Sequence, residues 1–233
     1  MIALETPDEQ ATPSTAEASA EASAEAIAGA ALGVAARFTA GATLWAIAPG
    51  FEDHARHVAV EFLHPVIVGT RALPAMALTG GDLVDSARRG CQAGDVVVLI
   101  GPAIADLAAR CRAWGVTTVA LMWDDATVAR HANHVVRLSG EPDAIRAYHL
   151  LWEMTQVCLE HPDVLKQAAT AASCAVCADD AVLGEVTAVL DDEVELRTPR
   201  GLQRAAATLL PDLSAGDLVL AHAGTVIGRE QTP

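Results

Sequence analysis

The stretch GDVVVLIGPAIADLAARCRAWGVTTVALM, residues 94–122, decides the fold. Val96–Ile100 is an unbroken apolar run of strand length, opened by Gly94-Asp95 and closed by Gly101-Pro102. A strand with no polar face belongs inside a sheet that is covered on both sides. Ile104–Trp114 carries apolar residues at helical spacing, and Thr117–Met122 is a second apolar strand. Apolar strand, helix and apolar strand in that order indicate a parallel sheet.

Working outward, the same alternation continues in both directions. Toward the N-terminus, residues 26–39, His54–Leu63 and Leu83–Cys91 read as helices, and Leu44–Ala48 and Ala75–Leu78 as strands. Toward the C-terminus, Val135–Leu138 reads as a short strand, and Pro142 opens a helix through His161. Residues 26–165 are thus expected to form an α/β domain with a four- or five-stranded parallel sheet. Residues 1–25 are mostly Ala, Ser, Thr, Pro and Glu without a basic residue, and are expected to be a disordered or weakly helical tail. Residues 166–173, Lys-Gln-Ala-Ala-Thr-Ala-Ala-Ser, read as a linker.

The pattern changes after the linker. Gly184–Val189 and Glu193–Thr198 alternate around Asp191-Asp192, which predicts a hairpin. Leu202–Thr208, Leu218–Ala221 and Thr225–Gly228 add three short strands. Five short strands close most simply into a small barrel, because closure removes exposed edges. Residues 174–233 are expected to be that OB-like barrel.

The chain of 233 residues is 52% hydrophobic but only 3% aromatic, and its formal net charge is -15. That balance argues against nucleic acid, whose phosphates need clustered Lys and Arg, and against an anionic membrane surface. No apolar run reaches the roughly 20 residues of a spanning helix. The N-terminus lacks a basic start and an apolar signal core. Five cysteines, an odd number, do not make a secreted disulfide framework. A cytoplasmic protein is expected. Cys91, Cys111 and Cys158 fall on helical faces and read as packing residues.

The stretches APGFEDHARHVAVEFLHPVIVGTRALPAMAL (48–78) and residues 94–138 together resemble a sugar isomerase (SIS) domain of the sedoheptulose-7-phosphate isomerase branch. That resemblance implies sugar-phosphate binding at the C-terminal ends of the strands, through two serine-bearing loops at helix N-termini, and a homo-oligomer. Both loops depart here. Pro49-Gly50-Phe51-Glu52-Asp53 puts a bulky ring and two carboxylates in the first, and Gly101-Pro102-Ala103-Ile104 has no hydroxyl in the second. The phosphate anchor is therefore expected to be lost. The resemblance further implies Glu61, in HVAVEF, and His149, in AYHLLWEM, as general acid and base. The plain alternative is a helix-face Glu and a packed histidine.

The tail TLLPDLSAGDLVLAHAGTVIGRE resembles the HypC/HupF family of [NiFe]-hydrogenase assembly chaperones. Leu209-Leu210-Pro211-Asp212, Gly216-Asp217 and Val219–Gly224 carry the likeness. It implies a thiolate ligand for an Fe(CN)2CO unit, with Cys174 and Cys177 of SCAVCADDAVLGEV in the cysteine's place and His222 beside it. Thiolate is the soft ligand that such an iron prefers. The implied partners are a HypD-like scaffold protein and an immature hydrogenase large subunit. Cys174 and Cys177 alone would also be compatible with a redox pair or half a zinc site, but the tail offers no second Cys-x-x-Cys for zinc, and the pair follows a linker instead of opening a helix. The resulting expectation is a hydrogenase maturation factor that is not itself an enzyme. The alternative is a sugar-phosphate isomerase or a sugar-phosphate-binding regulator.

Overall fold

The computed structural model of the chain describes residues 15–67, 69–102, 104–123, 127–171, 181–210 and 212–230. Five parallel strands form the first sheet: β1 (Leu44–Ile47), β2 (Ala75–Leu78), β3 (Val96–Ile100), β4 (Thr117–Met122) and β5 (His134–Arg137). Their order is β2-β1-β3-β4-β5, and every neighbouring pair is parallel. Every residue of β3 and β4 is buried, as two covered faces require.

Helices cover both faces. Helices α1 (Thr15–Thr39), α2 (Glu52–Leu63) and α5 (Pro142–Glu160) pack on Val96, Val98 and Ile100. Helices α3 (Leu83–Gly90) and α4 (Ala105–Ala113) pack on Val97 and Leu99. The period-two alternation of β3 thus feeds two separate apolar layers. Asp95 fixes the entry to β3. Its carboxylate accepts hydrogen bonds from the Thr43 and Gln92 amides, both at 2.9 Å, and from Trp45 Nε1 at 3.0 Å. No helix among the described residues is long and apolar enough to cross a membrane.

Strands β6 (Val182–Leu190), β7 (Glu193–Thr198), β8 (Gly201–Ala206), β9 (Leu218–His222) and β10 (Thr225–Arg229) form a closed barrel in the order β10-β8-β7-β6-β9. All pairs are antiparallel except β10 with β8, which closes the ring through Thr225 and Ala206. The expected fold, a parallel α/β sheet followed by a small barrel, is the one observed. Helix extends into two further stretches. The first helix begins at Thr15, well inside the expected tail. The expected linker at 166–173 is helical as far as Ala171, in α6 (Pro162–Ala171). Alanine-rich sequence forms helix without an apolar stripe, which suits a helical end to the tail and a helical start to the junction at 166–173.

The barrel docks on the α3–α4 face through a charge cluster. Glu185 of β6 is only 1% exposed. It accepts from Arg88 Nη2 at 2.7 Å, Arg110 Nη1 at 2.6 Å and Trp114 Nε1 at 2.7 Å. The Arg197 guanidinium lies 4.8 Å from the centre of the Trp114 ring and donates to the carbonyls of Arg88 and Cys91. Burial pushes the Glu185 carboxyl up, but hydrogen bonds from Arg88 and Trp114 and the charges of Arg88 and Arg110 outweigh it. The net shift is below the ordinary carboxylate value. Leu218 of the barrel joins the α3–α4 apolar layer.

Candidate functional site

Helix α2 leaves β1 through the turn Pro49-Gly50, with Gly50 at φ 77°. Its Val58 and Phe62 are buried in the core. His54, His57 and Glu61 fall three and four residues apart, so they share the flank of α2 that meets α5. Helix α5 brings Tyr148 and His149 to that flank.

His57 Nε2 lies 3.2 Å from His149 Nε2 and 3.7 Å from Glu61 Oε2, and His149 Nε2 lies 3.4 Å from Glu61 Oε2. Four ligands held about 2.0–2.1 Å from a tetrahedral zinc stand about 3.3 Å apart. The three atoms therefore already form one face of such a tetrahedron. Two imidazoles and a carboxylate suit zinc and its first-row neighbours. Glu61 is 14% exposed, whereas His57 and His149 are 44% and 38% exposed, so the cluster is open on the solvent side. That is where a ligand would enter.

Tyr148 supports the cluster from below. Its hydroxyl is 2.9 Å from His57 Nδ1. Burial, then the Glu61 and Glu141 carboxylates, push the phenol up to about 12, so it stays protonated. A His57 that offers Nε2 to a metal carries its proton on Nδ1 and donates it to the Tyr148 oxygen, which holds the ring plane. Tyr148 also packs on the edge of His54, whose Nε2 is 2.7 Å from Glu141 Oε1. A cavity of about 690 Å³ opens there at the C-terminal ends of β1 and β2, with Glu52, Asp53, His54 and Glu141 on its wall.

At the adjacent crevice between β1 and β3, where open α/β sheets usually receive ligands, stand Phe51 and Trp123. The Phe51 ring stands edge-on to Trp123 at 5.3 Å, and a Cβ on Gly101 would come 3.7 Å from it. The N-terminus of α4 is covered by Ile104, which is fully buried and gives no side-chain cap.

The sequence-derived pair Glu61 and His149 is brought together. His57 was missed, although its signal, His-x-x-x-Glu along one helix flank, stands in the HVAVEF string. Glu185, the docking acid, was missed as well. His222 sits at the end of β9, beside a cavity of about 250 Å³ that Arg200 and Arg204 also line. Cys174 and Cys177 lie outside the described residues. Cys91 and Cys111 are buried, as expected, and burial raises both thiols, Cys91 to about 12. Cys158 is only half-buried.

No family model matches the sequence, and no curated protein sequence does. The resemblance of the barrel to hydrogenase assembly chaperones has no such match behind it. Solved structures do resemble the chain. A phosphoheptose isomerase from Francisella tularensis is 16% identical over 60% of this chain and 92% of its own, with a TM-score of 0.48. The phosphoheptose isomerase of Neisseria gonorrhoeae is 18% identical over 62% and 90%, at 0.49. The sugar isomerase domain of an RpiR transcription factor from Sphaerobacter thermophilus is 18% identical over 63% and 84%, at 0.44. At these scores the likeness is one of outline and says nothing of ligand or reaction.

Proposed function

We propose that the α/β part is a sugar-isomerase-class site that handles a hydroxycarbonyl compound through a divalent metal held by His57, Glu61 and His149, without a phosphate anchor at the sheet. The observation that supports it is the near-tetrahedral spacing of the three ligand atoms, 3.2, 3.4 and 3.7 Å. A metal bound there would polarise a carbonyl and an adjacent hydroxyl. With a metal on Nε2, the His57 Nδ1–H would donate to the Tyr148 oxygen 2.9 Å away. The His54–Glu141 pair, at the wall of the 690 Å³ cavity, can take up and return a proton. Phe51 and Trp123 stand at the crevice that a phosphate would need.

The test has two arms. Metal content and zinc titration should show one site per chain, lost in His57→Ala and Glu61→Gln. The zinc-loaded protein in D2O should exchange the C2 proton of unphosphorylated aldoses or a C1 proton of unphosphorylated ketoses, read by NMR. Sedoheptulose 7-phosphate should exchange no faster than the unphosphorylated sugar. Absence of zinc binding removes the metal reading. Metal binding without exchange for any sugar leaves a binding protein, not an isomerase. Faster exchange with the sugar phosphate removes the claim that the anchor is lost.

A second reading concerns the barrel. It is favoured by the closed five-stranded ring formed by the chaperone-like sequence, with His222 at the end of β9 on a cavity. In that reading Cys177 or Cys174, with His222, takes the Fe(CN)2CO unit as cargo from a HypD-like scaffold and passes it to an immature hydrogenase large subunit. Infrared spectra of anaerobically purified protein should then carry cyanide and carbonyl bands. Persistence of those bands in the Cys174→Ala, Cys177→Ala double variant would overturn it.

A further inference from the structure

A cleft of about 380 Å³ lies between the α/β part and the barrel, away from the histidine cluster. Arg112 from the last turn of α4, Arg130 from the short 3-10 turn before β5, and Arg200 from the β7–β8 turn all face it. The gathering is unexpected in a chain with fifteen basic residues against thirty acidic ones. Elsewhere the pairing is ordinary: Arg56, Arg89 and Arg229 each meet a carboxylate. Among the described residues, no carboxylate stands within ion-pair distance of Arg112, Arg130 or Arg200. The acid on the cleft wall, Glu230, lies 3.9 Å from the buried His131 instead. Arg112 is held in place, because its Nη1 donates to the Arg130 carbonyl at 2.7 Å.

Three like charges converging on one cavity repel one another, and an anion relieves that repulsion. Guanidinium forks fit phosphate oxygens two at a time. Val182, Leu183 and Leu220 give the same cleft an apolar wall. The neighbouring cavity beside His222 shares Val182 and Arg200 and adds Arg204, so the positive track continues. We infer that this cleft is a binding site for a small organic phosphate, whose phosphate lies among Arg112, Arg130 and Arg200 and whose apolar portion lies on Leu183 and Leu220. Its walls come from both parts of the chain, so the ligand ties barrel to sheet and stabilises the docked form.

The full chain is titrated with AMP and with sodium pyrophosphate by calorimetry, and melted with each, against sodium chloride at equal ionic strength and against citrate. Saturable binding and a rise in melting temperature are expected for AMP and pyrophosphate. Arg112→Ala and Arg200→Ala should each weaken binding by about tenfold or more. Arg146→Ala, an exposed arginine of α5 outside the cleft, should leave it unchanged. Arg112→Ala also loses its bond to the Arg130 carbonyl. Arg200→Gln, whose side chain makes no such bond, therefore carries the test if that variant misfolds. Citrate binding as tightly as AMP, heats that do not saturate, or affinity unaltered in Arg200→Gln would each overturn the assignment.

Discussion

Tyr148 reaches His57 through one hydrogen bond of 2.9 Å and is itself fully buried. Removing only the hydroxyl leaves the packing and frees the imidazole to turn. Tyr148→Phe should therefore lower zinc affinity about tenfold, in the range found when a metal ligand loses its outer partner. The melting temperature of the metal-free protein should hardly change, and that contrast separates a positioning role from a packing one. Glu185 makes the opposite prediction. Glu185→Ala leaves Trp114 Nε1 without its acceptor and Arg88 and Arg110 with only Asp85 and Asp106 as carboxylate partners, and should cost about 3 kcal/mol, the low end for a broken buried pair, because those pairs remain and Arg88 still reaches water. The pH dependence has a definite sign. Glu185 is held below its ordinary value of 4.5, so its contribution is complete above that pH and is lost as the pH falls through the folded value. Acid melts of wild type and Glu185→Gln should converge below that range and diverge above it. No local pattern announces Glu185: Gly184–Val189 alternates like any barrel strand, and the residues that meet it stand far away in the chain. His57 was legible in principle. Glu61 drew attention through a family likeness, and the histidine one turn earlier on the same flank was passed over.

At the level of elements, the strands that could be read from sequence are those whose burial is one-sided or two-sided without exception. The wholly buried β3 and β4 and the alternating β7 kept their expected limits, with β7 spanning Glu193–Thr198. Helix limits in alanine-rich sequence did not, because propensity there has no apolar stripe to mark an end. One junction could not be read at all. Gly115, between α4 and β4, has φ 74°, and a Cβ on it would stand 2.8 Å from Pro199 Cα in the barrel's β7–β8 turn. The glycine serves a backbone conformation and a close approach at once. Gly94 offers the control, with φ 96° and open space around it. Gly94→Ala should lose about 1–2 kcal/mol from the backbone alone. Gly115→Ala should lose more in thermal melts, because Pro199 and the barrel must move. Equal losses would mean that the barrel yields freely at that contact.

At the scale of the whole molecule, the sheet separates two surfaces. The histidine cluster and the 690 Å³ cavity lie with α2 and α5, and the barrel sits across the sheet on α3 and α4. Sequence could divide the chain into these two parts because strand character changes from wholly apolar to alternating near residue 170. It could not show that they are joined, because the Arg88–Glu185–Arg110 contact is made by side chains that each read as ordinary surface charges.

If the buried contact around Glu185 holds sheet and barrel together by itself, the peptide connection between them is dispensable. Residues 1–171 and 181–233, expressed as separate polypeptides in one cell, should co-purify as a complementing pair. Glu185→Ala in the smaller fragment should abolish recovery. The fusion of two folds would then be a tether that fixes stoichiometry and raises local concentration, on a recognition surface able to act in trans.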